Sequence, residues 1–339
     1  MNRKARIGRG ADRAGVEGPQ GLLRRERTQG YPSEYLLSRV RGRRSRLIRD
    51  WRPLIFDGSA FDHLASAQYQ GFVRERTPEG MWRALLQEHG WVHGQMEEAA
   101  RRIFAPYFLY AELRTVFICL RCLQGDKAQK AGEVIGASLL SDEMKAVLRE
   151  GPVADALAAL DVLFKALSPA FDGLAAAYRE KGLREVEQIL THQYLVFVLQ
   201  LPLDPVMREF FVRVIDSRNI LALYKALRMG SPGSGRFLPG GQVPVERLMN
   251  LLENEDILEI AGLIRQATGL AVASPEPTLV EAALYRGITR FLKGAGRDPL
   301  DVALIVDHLW RCQLEVMNLS MLLAGKDLAR DEVAAELVR

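Results

Sequence analysis

An acidic residue followed three positions later by Asn or Thr recurs three times in this chain. The copies are Glu112-Leu-Arg-Thr115, Asp216-Ser-Arg-Asn219 and Glu315-Val-Met-Asn318, separated by 104 and then 99 residues. Each lies in a long apolar-periodic stretch that runs into a glycine, at Gly125, Gly230 and Gly325. At positions i and i+3 of a helix the two side chains share a face, so they can jointly hold a third group. A carboxylate left unpaired inside a helical bundle is costly, which predicts an arginine partner from a neighbouring helix. Even spacing of the copies points to one helical unit used three times, and to a role that depends on shape more than on a catalytic pocket.

The periodicity divides the chain into a disordered basic tail over 1–30 and three helical repeats over 31–131, 132–241 and 242–339. Ala and Leu are abundant and period-two runs are scarce, so the expected fold class is all-α. Helices are expected over about 33–49, 79–104, 106–124, 132–149, 153–180 and 183–201, and then repeatedly to the end of the chain. The three helices that carry the recurring pair are expected to begin at Pro106, Pro205 and Pro299, the last two behind Asp204 and Asp298 as N-caps. No stretch reaches eighteen uninterrupted apolar residues, so no bilayer span is expected. Three cysteines cannot make a disulfide framework, and a reducing compartment is the expected setting.

The net charge of +4 hides an asymmetry. Residues 1–52 hold 15 Lys+Arg against 5 Asp+Glu, a net of +10, while the remainder nets −6. A basic head on a mildly acidic body attracts an anionic surface, either lipid or nucleic acid. The first helix interleaves Tyr35, Leu36, Val40, Leu47 and Ile48 with Arg39, Arg41, Arg43, Arg44, Arg46 and Arg49.

Chemistry-bearing motifs are thin. Gly325-Lys326 is followed by Asp327, which rules out a phosphate loop. Cys119 and Cys122 share a helix face, but two more zinc ligands are missing nearby and Cys312 belongs to another repeat, so they read as core residues. His89, His93 and Glu97 stand at i, i+4 and i+8, a possible metal constellation weakened by Gly90 and Gly94 and read as solvated surface. No catalytic, cofactor-binding or metal residue is assigned, and no cofactor or small-molecule substrate is expected.

From Tyr35 onward the chain resembles the C-type central-stalk subunits of archaeal and bacterial A/V-type rotary ATPases, which correspond to the d-type subunits of eukaryotes. The likeness rests on Tyr35-Leu-Leu-Ser-Arg39-Val-Arg41, on Asp216-Ser-Arg-Asn219 with the Phe237-Leu-Pro-Gly-Gly241 loop, and on Asp298-Pro-Leu followed by Glu315-Val-Met-Asn318. It departs from the family pattern at Leu221 and Ser320, where arginine is common, and at Thr115 in place of Asn. The resemblance implies a funnel of three similar helical units around a pseudo-three-fold axis. It further implies a non-catalytic rotor adaptor, peripheral on the cytoplasmic side of a membrane, joining central-stalk rotor subunits to the membrane proteolipid ring. The competing expectation is a helical-repeat module that binds nucleic acid through residues 1–52; its signature is affinity that falls steeply with salt.

Overall fold

The structure, a computed structural model, describes residues 18–56, 72, 77–125, 127–229, 236–272, 276–298, 301–325 and 329–338. Gly230, Pro299, Lys326 and residues 1–17 of the basic tail lie outside the described residues. Among those described there are fifteen α-helices and no strand, only two isolated bridges, so the fold is all-α as the composition implied.

In chain order the helices are α1 (Ser33–Arg44), α2 (Arg52–Phe56), α3 (Pro78–Gln95), α4 (Glu98–Gln124), α5 (Ala128–Ala137), α6 (Asp142–Arg149), α7 (Val153–Lys165), α8 (Leu174–Lys181) and α9 (Leu183–Val198). They continue as α10 (Pro205–Met229), α11 (Val245–Glu253), α12 (Glu259–Thr268), α13 (Pro277–Ala295), α14 (Ala303–Ala324) and α15 (Arg330–Glu336). The chain forms two compact units and passes between them inside α1 and α3. One unit joins the described residues up to Ser38 with Arg83–Leu201; the other joins Arg39–Trp82 with the described residues from Pro202.

The first unit is organised by α4, which packs against α5, α6, α7 and α9. Its 27 residues bury Phe104, Tyr107, Phe108, Leu109, Val116 and Leu120. By length and composition it is the one described helix apolar enough to cross a membrane, but most of its apolar window is buried inside the fold, as in a core helix. Pro106 was expected to begin this helix and instead sits inside it. The proline ring removes one intrahelical bond, and the fully buried residues around it hold the helix together regardless. The Pro106 carbonyl also accepts a bond from the Tyr194 hydroxyl at 2.7 Å, tying α4 to α9. The break falls at Met96 and Glu97, with Glu97 as the N-cap of α4.

Residues 18–30 depart from the expectation of disorder. They form a strap whose order comes from long-range backbone bonds: Arg24 N to Leu139 O at 2.6 Å, Ser141 N to Leu22 O at 2.9 Å and, just beyond, Tyr31 N to Gln95 O at 2.9 Å. Leu22 and Leu23 are buried, which contributes about 1.5–3 kcal/mol each. Gly30 turns the strap with φ of +76°, and a side chain there would run into the Met96 carbonyl. Glycine-rich composition masked a segment that uses its glycine for close approach.

The second unit is organised by α10, α13 and α14. Helix α10 packs on α11, α12 and α13, while α13 packs on α14 and α15. Ile220, Leu223 and Tyr224 of α10 meet Leu248, Leu263, Ile264, Val280 and Leu284 in one apolar cluster. The expected start of α10 is met: Pro205 opens it, and Asp204 Oδ1 accepts from Val206 N at 2.9 Å. Helix α1 ends at Arg44, earlier than its apolar stripe suggests, and Leu47 and Ile48 follow it in a turn and an extended stretch.

Candidate functional site

All six residues of the recurring pairs are buried. Glu112 and Thr115 lie on α4, Asp216 and Asn219 on α10, and Glu315 and Asn318 on α14. The acid of each pair and the asparagine of the second and third do different work, since each holds a different piece of backbone away from its own helix.

Asn219 makes a two-way bond with one residue. Its Nδ2 donates to Leu238 O at 2.8 Å and its Oδ1 accepts from Leu238 N at 2.7 Å. Asn318 repeats this with Val338, at 2.8 Å to the carbonyl and 3.1 Å from the amide. The partners stand 19 and 20 residues after the asparagine. Only a carboxamide offers donor and acceptor side by side in this way. At the matching distance from Thr115 the chain is inside helix α5, so there is no extended segment for an asparagine to hold. The Thr-for-Asn departure therefore has a local structural cause.

The acids receive backbone N–H groups. Glu112 Oε1 accepts from Leu139 N at 2.6 Å and its Oε2 from the Ser138 hydroxyl at 2.8 Å. Asp216 Oδ1 accepts from Val243 N and its Oδ2 from Gln242 N, both at 3.1 Å. The sequence offset from acid to bonded amide is 27 residues in both cases. Glu315 breaks the pattern: Ile48 N, 267 residues earlier in the chain, donates to its Oε2 at 2.8 Å. In each case a helix follows within a few residues of the bonded amide: α6 after Leu139, α11 after Val243 and α2 after Ile48. The part played for Glu112 and Asp216 by the segment following their helix is thus played for Glu315 by residues near the start of the chain.

The arginine partners expected for these carboxylates are corrected. Backbone N–H groups meet the acids instead, and Arg44 of the basic helix pairs with Asp307, two turns before Glu315 on α14. Asp307 is buried and also accepts from Arg311 Nε at 2.9 Å. A backbone amide neutralises less of a carboxylate than a guanidinium does, and the protonation equilibria reflect it. Burial pushes Glu112 up, opposed by the Leu139 amide and the Thr115 and Ser138 hydroxyls. Burial likewise raises Asp216 against the Val243 and Gln242 amides. Glu315 has only the Ile48 amide, its Oε1 is buried with no hydrogen-bond partner among the described residues, and burial drives it from 4.5 to about 8.

Gly241, in the loop singled out by the sequence, is part of the second clamp: a Cβ there would collide with Asp216 Oδ1. Of the basic-helix residues, Tyr35 is half exposed and packs on Tyr31 with ring centroids 4.9 Å apart, Arg39 is half-buried and Arg41 is exposed. The clamp partners Leu238, Val338, Gln242 and Ile48 contribute backbone groups and carry no side-chain signal. Only the Gly-Gly pair hinted at a tight approach.

The remaining candidates resolve as core. Helix α3 runs through Gly90 and Gly94, so His89 and His93 do share a helix, but both are buried rather than solvated, and Glu97 lies beyond the helix end. Burial holds His93 neutral, down to about 4, although Glu26 lies 3.4 Å from its Nδ1. Cys119 is buried and its thiol is pushed up to about 12, so it is not a thiolate ligand at neutral pH.

No curated protein matches this chain. A family model does, over residues 36–336, and so embraces all six residues of the recurring pairs, the basic helix from Leu36 and the Gly241 loop. With nearly the whole folded chain matched, the protein belongs to the ATP synthase (C/AC39) subunit family.

Proposed function

We propose that this chain is a non-catalytic rotor adaptor of a V/A-type ATPase, coupling the central stalk to the membrane proteolipid ring during rotary transport of protons or sodium ions. Membership of a rotary ATPase subunit family carries the reading. Three similar helical units, over 31–131, 132–241 and 242–339, arranged as a funnel about a pseudo-three-fold axis, suit that task. The recurring clamps support the triplication: the acid on each of the three helices accepts a backbone N–H, and the asparagine on two of them holds one residue by a paired bond. Because Glu315 takes its amide from Ile48, the third unit is completed by residues 48–56, which ties the start of the chain to the third repeat.

A coupling piece must pass torque without local unfolding. Clamps that fix loops to helix interiors serve that need, since a loop bonded to a buried side chain opens only if the helix packing opens with it. The experiment is affinity capture of the tagged chain from native membranes. Co-purification of stalk and proteolipid subunits in fixed ratio is the expected result; a chain that never travels with them removes the proposal.

A further inference from the structure

We propose that the pocket beneath the N-terminal strap is a binding site for a phosphate-bearing anion, separate from the adaptor role. The strap and the first turns of α4 border a partly open cleft of about 510 Å³, lined by Arg24, Arg25, Arg101 and Arg102 with Glu26 and Glu98. That volume lies in the range of small-molecule sites, roughly 300–1,000 Å³.

The two glutamates are already engaged. Glu26 accepts from Arg24 at 2.6 and 2.9 Å, and Glu98 accepts from Gln20 Nε2 at 3.0 Å and lies 3.5 Å from Arg102 Nε. Arg101 is in a different position. It is only 3% exposed, and its bonds go to neutral oxygens: His93 O at 3.2 Å, Thr28 O at 2.9 Å and Thr28 Oγ1 at 3.4 Å. No carboxylate meets it among the described residues. A buried cation held by neutral groups alone is costly, and the cavity it lines is where a counter-charge would enter. His93, neutral at physiological pH, adds no competing charge of its own. A planar guanidinium with further arginines around it favours the several oxygens of a phosphate over a single carboxylate. The strap residues of this pocket precede Leu36 and so lie outside the family match.

The test uses the full chain and inorganic pyrophosphate in a calorimetric titration. Saturable binding is expected, weakened about tenfold or more in an Arg25→Ala/Arg102→Ala variant whose unfolding midpoint is unchanged, and lost in Arg101→Met. Should Arg101→Met fail to fold, the double variant decides alone. Phosphatidylcholine vesicles with and without phosphatidylinositol phosphate separate the sources. Sedimentation only with the phosphorylated lipid, reversed by pyrophosphate, assigns a headgroup; pyrophosphate binding without sedimentation assigns a soluble ligand. No saturable pyrophosphate binding, or equal affinity in the double variant, overturns the proposal. Neither result bears on capture of rotor subunits, so the two readings stand or fall independently.

Discussion

The clamps at Glu112 and Glu315 begin from the same local pattern and end in different electrostatic states. Glu112 has a donor on each oxygen, a backbone amide and a serine hydroxyl supplied by the segment that follows its helix. Glu315 has one donor, from a residue near the other end of the sequence, and its second oxygen is buried alone among the described residues. At the i+3 position the difference runs the other way. Asn318 holds Val338 with two bonds, while at the same distance beyond Thr115 the chain is helical and offers no extended segment to hold. The three helices are therefore more alike in where they bury polar groups than in what those groups are bonded to, because burial follows from the helix and the partners come from elsewhere.

The largest effect should come from the asparagines. Asn219→Ala and Asn318→Ala each strand a buried N–H and a buried carbonyl, for a loss of about 3 kcal/mol in urea unfolding. Thr115→Ala should cost clearly less, about 1 kcal/mol or below. Equal losses at 115 and 219 would erase the distinction between the clamps.

Next comes Gly241→Ala, which forces the second clamp's loop away from Asp216. An expected loss of about 2 kcal/mol would appear as a lowered denaturant midpoint. Gly42→Ala, in a helix with open space around it, should be neutral or slightly stabilising and serves as the control.

The acids separate by pH. With its pKa raised from 4.5 to about 8, folded Glu315 keeps a proton that the unfolded chain releases. Its contribution is therefore fully present below pH 4.5 and is lost as the pH rises toward 8, by an amount on the order of a few kcal/mol. Glu315→Gln should flatten the stability profile across that window and match or exceed the parent at pH 8. Glu112→Gln should instead cost about 1 kcal/mol, since both of its oxygens already accept bonds. Identical pH profiles for the two variants would show that the missing second donor has no consequence.

The smallest effect concerns reactivity. Cys119, buried and protonated, should resist alkylation at neutral pH until the chain is unfolded, whereas Cys122 is partly exposed. Rapid modification of Cys119 in the native protein would mean that the α4 packing opens far more readily than its burial implies.

Sequence periodicity alone determined the helical class, and the recurring spacing of an acid and an Asn or Thr marked six polar residues that the structure then buries. It also marked the start of α10, where Asp204 and Pro205 act within one turn. It misplaced the break around Pro106, since a proline's local preference was outweighed by packing on both sides of it. It read residues 18–30 as tail because their order rests on bonds to residues more than sixty positions away. The clamp partners were beyond it altogether: an amide from Ile48 or Val243 is chemically the same as any other, and only the path of the folded backbone decides which one reaches the buried carboxylate.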